Sequence, residues 1–134
     1  SKTLTRWGAM IEASKKVKPW RTDVKEAALE CYSSGALNLP VKAEIEFVFP
    51  RPKSHYGTGK NADVLKPSAP KFCTSRGNGD IDKLSRSTLD GLSVSAGGSV
   101  LEDDSLVVEL NTKKRYINKD ELPGAYIAIS SICD

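Results

Sequence analysis

Two groups of carboxylates in this chain of 134 residues are spaced so that they could do chemistry together. Asp80 and Asp82 open the segment 79–92, and Glu102-Asp103-Asp104 precedes an apolar run that starts near Leu106. Leu84, Thr88 and Leu92 recur every fourth residue, with Ile81, Ser85 and Leu89 beside them, so the spacing predicts a helix with one buried stripe. Asp82, Arg86 and Asp90 share that period and form a separate polar stripe. Asp80 falls at the N-terminal edge, where a carboxylate can cap free N–H groups and meets the helix dipole favourably. One reading is purely structural: a cap and a helix-surface ion pair. The other is catalytic. Hard cations such as Mg²⁺ take oxygen ligands and are often held by a few carboxylates plus substrate phosphates. If the acids at the helix start and those ahead of the strand converge, a cation between them would polarise a phosphoryl oxygen, activate water and stabilise a leaving oxygen. Arg86, one turn beyond Asp82, would then neutralise charge developing on the phosphate.

The elements that must position these groups are legible in part. Trp20, Val24, Ala27, Ala28 and Cys31 recur at helical spacing within 18–34, with Arg21, Lys25 and Glu26 opposite and Gly35 as a stop. Val41 to Phe49 alternates: Val41, Ala43, Ile45, Phe47 and Phe49 on one face, Lys42, Glu44 and Glu46 on the other, closed by Pro50 and Pro52. Further strands are expected over 106–116 and 125–132, joined as an antiparallel pair through the turn residues Asn118-Lys119-Asp120 and Pro123-Gly124. A short strand is expected over 10–14. The fold class is therefore α/β (α+β): a small mixed or mainly antiparallel sheet of three to four strands with two packed helices.

Between Pro50 and Gly79 no period is sustained, and loops of that length inside a compact domain are usually functional or mobile. This one carries Arg51, Lys53, Lys60, Lys66, Lys71 and Arg76 against a single acid, Asp63. The net charge of the chain is only +3. Its distribution is uneven: residues 1–71 hold 13 basic and 7 acidic residues, and residues 72–134 hold 7 basic and 10 acidic ones. A basic surface for a polyanion beside a carboxylate site for metal ions is one account of that split, and chance in a small domain is the other.

Length fits one domain over residues 1–134. Hydrophobic residues at 39% and charged residues at 28% exclude overall disorder. No run of apolar residues approaches a membrane span, and the first residues lack the apolar stretch of a signal peptide. The three cysteines, Cys31, Cys73 and Cys133, are widely spaced, and with one histidine they exclude a structural zinc site and suit reduced thiols in a cytosol. Gly57-Thr58-Gly59-Lys60-Asn61 has neither the spacing nor the Ser/Thr of a Walker loop, so no nucleotide cofactor is expected.

Asp80-x-Asp82-Lys83-Leu84-x-Arg86, then Leu89-Asp90-x-Leu92 and Asp103-Asp104-Ser105-x-Val107, resemble the core signature of the RusA-type Holliday junction resolvases. Arg51-Pro52-Lys53-Ser54-His55-Tyr56 and Ser68-Ala69-Pro70 resemble the phage-encoded branch of that family. The resemblance covers roughly residues 20–132. It implies three metal-binding aspartates at Asp80, Asp82 and Asp104, with Mg²⁺ as the cofactor and Mn²⁺ as a substitute. Asp90 and Asp103 would support them from behind. It further implies a homodimer with two active sites, four-way junction DNA as the partner, no membrane partner, and a bacterial cytosol, phage or prophage encoded, as the location. A catalytic lysine of the family falls at Arg86, which keeps the charge but cannot act as a general acid near neutral pH. The segment 93–100 is longer than the pattern leads one to expect, and the family's usual opening strand has no obvious equivalent. Contacts to the DNA backbone are expected from Arg51, Lys53, His55, Lys60, Lys66, Lys71 and Arg76.

The remaining features read more simply. Trp7, Trp20, Phe47, Phe49 and Tyr126 are placed as core or interface aromatics, and Tyr56 and Phe72 as residues packing the basic loop down, with base stacking as the alternative. Lys113-Lys114-Arg115 reads as a solvated strand tip. Two functions of different class fit the whole: a metal-dependent endodeoxyribonuclease on branched DNA, and a catalytically silent branched-DNA-binding protein of the same fold. A nuclease on another nucleic acid is a third.

Overall fold

The computed structural model describes residues 6–12 and 19–132. Its elements are β1 (Arg6–Glu12), α1 (Trp20–Cys31), β2 (Val41–Phe49), α2 (Ile81–Leu92), β3 (Val107–Tyr116) and β4 (Gly124–Ser131). The strands form one mixed sheet in the order β1-β4-β2-β3. β2 has the alternation expected of it: Val41, Ala43, Ile45 and Phe47 are buried, and Lys42, Glu44 and Glu46 are half-buried on the other face. The inner face meets Val24 and Ala28 of α1, Leu92 of α2, and Ala125, Ile127 and Ile129 of β4 in one core. Both helices therefore lie on the same side of the sheet. The outer face is laced with ion pairs, Lys42 to Glu109 at 3.3 Å and Lys113 to Glu46 at 3.2 Å.

The opening strand has its equivalent in β1, which pairs antiparallel with β4 from Arg6↔Ser130 to Glu12↔Gly124. The strand expected over 10–14 overlaps it only in part, and residues 13 and 14 lie outside the described residues. β3 and β4 do not pair as expected. β2 lies between them, antiparallel to β4 and parallel to β3. The physical reason is the crossover: α2 returns the chain so that β3 starts beside the start of β2, which takes that edge. The seven-residue link 117–123 then needs to step across only one strand, about 10 Å at ~4.8 Å per strand. Arg115 fixes that link with a bidentate pair to Glu121 at 2.7 Å and a contact to Glu46 at 3.2 Å. Of Lys113-Lys114-Arg115, Lys113 stays largely exposed beside Glu46, whereas Arg115 is held by Glu46 and Glu121 and Lys114 donates to the Gly79 carbonyl at 2.9 Å. Tyr126 is also not a core residue: it is exposed and donates to Glu121 at 2.8 Å.

α1 ends at Cys31, short of the predicted residue 34, and Gly35 adopts φ +100° to turn the chain toward buried Leu37. The segment 50–80 folds on itself. Short 3₁₀ turns at Lys53–His55, Gly59–Asn61 and Arg76–Asn78 and a bridge between Tyr56 and Leu65 give it shape. None of the described helices is long and apolar enough to cross a membrane.

Candidate active site

α2 begins at Ile81 because Asp80, in extended conformation, ends the preceding loop. Ser85, Thr88, Gly91 and Leu92 are its buried face, so Asp82, Arg86 and Asp90 run along the outer flank as the four-residue spacing predicts. Asp80 takes the N-cap position without making a side-chain capping bond, and the structural reading of that residue is not realised. Its carboxylate lies 3.7 Å from Lys83, both side chains being largely exposed, a pairing worth little in water.

Against this flank stands a residue that the motif did not single out. Arg21, at the start of α1, joins Asp82, Lys83, Arg86, Ser87 and Asp90 around an open cleft of about 270 Å³. Two contacts hold it there. The Trp20 indole donates to the Thr88 hydroxyl at 2.9 Å, and a Cβ placed on Gly91 would stand 2.7 Å from the Arg21 carbonyl. The side chains of Arg21, Asp82, Arg86 and Asp90 form no ion pair or hydrogen bond among the described residues. Three cations and two carboxylates thus face one cleft with most of their charge unspent. Sequence periodicity puts Arg21 on the polar side of its own helix, but no spacing says which residues of α2 it will meet.

The end of the molecule is shared with the basic loop. Lys114 near the end of β3 reaches the Gly79 carbonyl, and β2 runs out at Phe49 into Arg51. Arg51 lies 4.4 Å over the ring of Tyr116, the last residue of β3, and donates to the Pro70 carbonyl at 2.7 Å. It also stands 3.3 Å from His55 Nδ1, and His55 packs edge-on against Tyr116 with ring centroids 5.3 Å apart. Arg51 and His55 therefore anchor the loop to the sheet. Lys53, Lys60, Lys66, Lys71 and Arg76 are exposed, as is Phe72, which does not pack the loop down but lies beside Lys71 at 5.6 Å. Tyr56 is half-buried.

Asp104 is elsewhere. After α2 the chain turns through 93–101, where Val100 and Leu101 N–H groups both donate to the Leu92 carbonyl at 2.9 and 2.8 Å. The extra length of this segment is absorbed in that turn. Ser95 then bonds Asp103, and Asp104 starts the short turn Asp104–Leu106 that feeds β3. Asp103 is the cap of this turn. Bonds from Ser105 and Ser95 hold its carboxyl down at about 2. Asp80 and Asp82 therefore mark one end of α2 and Asp104 the other, a separation of roughly 18 Å for 12 residues. Among the described residues no three His, Cys, Asp or Glu side chains of the chain gather into a group that could hold a metal ion. The convergence of Asp80, Asp82 and Asp104 expected from the sequence does not occur within one chain, because α2 is antiparallel to the strand that Asp104 precedes.

What one chain offers is a pair of carboxylates at the start of a helix, cationic groups around the cleft beside them, and a basic loop at the same end. The donor chemistry suits a hard cation, which needs only one or two carboxylates when substrate phosphates complete its shell. A family model described as Endodeoxyribonuclease RusA matches residues 2–130. No curated protein matches the chain.

Proposed function

Because the chain belongs to the RusA family of endodeoxyribonucleases, which act on Holliday junction DNA, we propose that it cuts four-way and related branched DNA with the help of Mg²⁺. The observation that carries this reading is the cleft between α1 and α2, where Arg21 and Arg86 face Asp82 without neutralising it. Asp80 and Asp82 would hold the cation, and Mn²⁺, with similar oxygen-ligand chemistry, would substitute. When bound it polarises a phosphoryl oxygen and lowers the pKa of an attacking water. The chain's own side chains do the rest. Arg86 and Arg21 bind the two non-bridging oxygens of a phosphate by forked hydrogen bonds, for which guanidinium geometry is suited. Neither transfers a proton, so the leaving oxygen takes its proton from water. Lys53, Lys60, Lys66, Lys71 and Arg76 contact the DNA backbone sequence-independently, while Arg51 and His55 hold their loop in place. Asp90 lines the same cleft and supports the site, whereas Asp103 fixes the turn at the far end of α2. A role in recombination, repair or phage DNA processing in a bacterial cytosol, and a homodimer cutting two strands symmetrically, complete the proposal; the phage-like segments 51–56 and 68–70 support the origin.

A synthetic four-way junction with protein and Mg²⁺ tests it. Nicking is expected, and Asp82→Asn should lower it by at least about 100-fold, since groups one shell beyond a metal already cost up to that much. The replacement of the family's lysine by Arg86 favours a second reading, a branched-DNA-binding protein without cleavage. Junction binding with no nicking at any Mg²⁺ or Mn²⁺ concentration would establish that reading instead.

A further inference from the structure

We propose that Phe72 stacks on an unpaired base at the branch point of junction DNA and so sets a preference for branched over duplex DNA. This rests on the branched-DNA reading above and names the residue that would sense the branch. Among the described residues Phe72 is the most exposed large apolar side chain, 71% open to solvent. Its setting is basic: Lys71 Nζ lies 5.6 Å from its ring, and Asp63 is the only acid in the segment 50–79. An exposed benzyl group gains by folding back onto apolar surface. The chain on either side of Phe72 prevents that.

Two anchors hold the ring outward. Two residues ahead, the Pro70 carbonyl accepts from Arg51 at 2.7 Å, and Arg51 itself rests 4.4 Å over the ring of Tyr116. Immediately behind, Cys73 is buried and its Sγ receives the Asn78 amide at 3.1 Å. The Thr74 N–H donates to the Phe72 carbonyl at 3.1 Å and closes the chain tightly around Cys73. The small thiol therefore goes in and the large aromatic out, the reverse of what apolar area alone would select. A ring framed in this way gives up little conformational freedom when a partner arrives. What suits it is a flat face of similar size among negative charges. In duplex DNA each base is covered on both sides by its neighbours, whereas bases beside an opened crossover have a free face. Stacking there tolerates any sequence, because every base has a π-face. The exposed Lys71 next to the ring would take the flanking phosphate.

Fluorescence anisotropy on a four-way junction and on a duplex of the same sequence, in EDTA so that no strand is cut, tests this. Phe72→Ala should weaken junction binding about 5- to 100-fold, the range of one lost base–aromatic contact, and leave duplex binding unchanged. The slope of log affinity against log salt should stay the same, since no charge is removed. Phe72→Trp should keep junction binding, and Phe72→Leu, apolar but without a π-face, should lose it. With 2-aminopurine at the branch point, the parent should raise the fluorescence as the base leaves its neighbours, and Phe72→Ala should not. Thermal midpoints of the variants should match the parent, as expected of so exposed a side chain. A parent that prefers the junction while Phe72→Ala or Phe72→Leu binds it equally well overturns the proposal alone, as does an equal loss on junction and duplex. A parent without any preference for the junction overturns the branched-DNA reading and the proposal with it. Cleavage plays no part, so a parent that binds junctions without nicking them leaves the stacking result decisive. A change in sedimentation on Phe72→Ala would assign the ring to a protein contact instead.

Discussion

Arg21 and Arg86 approach one cleft from different helices, and among the described residues neither is held by a carboxylate. A guanidinium left unpaired in water costs little on its own, so nothing in the free protein needs it there. Its value comes when a phosphate arrives, since two forks can take the two non-bridging oxygens while Asp82 stays free for a cation. Each phosphate contact contributes one released counterion to binding. Arg21→Ala should therefore weaken junction binding at all sequences and flatten the plot of log affinity against log salt by about 0.9. Fluorescence anisotropy at several salt concentrations measures this; an unchanged slope would show that Arg21 touches no phosphate. Fold stability should stay within about 0.5 kcal/mol, as expected of an exposed side chain without partners.

The cleft exists because α1 and α2 approach closely at Gly91. A Cβ there would lie 2.7 Å from the Arg21 carbonyl and 2.8 Å from Val24 Cβ, neither able to give way cheaply. Gly91→Ala should push the helices apart and cost about 1–3 kcal/mol, read from urea unfolding. It should also disturb junction binding, since Arg21 moves with α1. A stabilised variant would mean that helix propensity outweighs the contact. Gly91 also shows why some of this architecture was readable in advance and some was not. Strand β2 was legible over Val41–Phe47 because alternation reports burial directly, and the pattern failed at the end, where Val48 is buried and Phe49 only half-buried. The stripe Asp82-Arg86-Asp90 was legible because it lies on one helix. Strand order was not: β3 and β4 both carry strand patterns, but a pattern shows which face is buried and not which neighbour shares the ladder. The same limit hid Arg21, which belongs to the cleft only through the packing of α1 on α2. It hid the remoteness of Asp104 as well, since motif spacing cannot say that α2 returns antiparallel to β3.

At the scale of the molecule, charge is sorted by end. The basic loop, Asp80 and Asp82 sit where the parallel strands β2 and β3 finish, and Asp103 and Asp104 sit where β3 begins. Two carboxylates also tie folding to pH. Bonds from Ser105 and Ser95 hold Asp103 at about 2 against an ordinary 3.8, and Arg115, with the Asn118 N–H, holds Glu121 at about 2 against 4.5. Both ionise more readily folded than unfolded. Their contribution is therefore complete above pH ~4.5 and is lost progressively as pH falls toward 2. Urea midpoints should be level between pH 7 and 5 and decline below that, and Glu121→Gln should soften the decline. A decline as steep in Glu121→Gln as in the parent would assign it to other groups.

The placement of β4 has a consequence for how the chain reaches this state. β4 follows every other strand in sequence, yet it is an interior strand, the sole described neighbour of β1 and one of two neighbours of β2. During synthesis β2, α2 and β3 can dock as soon as residue 116 has left the ribosome. β1 has to wait, unpaired, until residues 124–131 emerge and slide between it and β2. Sheet closure is then a late, long-range event, the kind that slows folding through the cost of bringing distant segments together. Until it occurs, an open β1 and the bare side of β2 are the surfaces at which nascent copies would stick to one another.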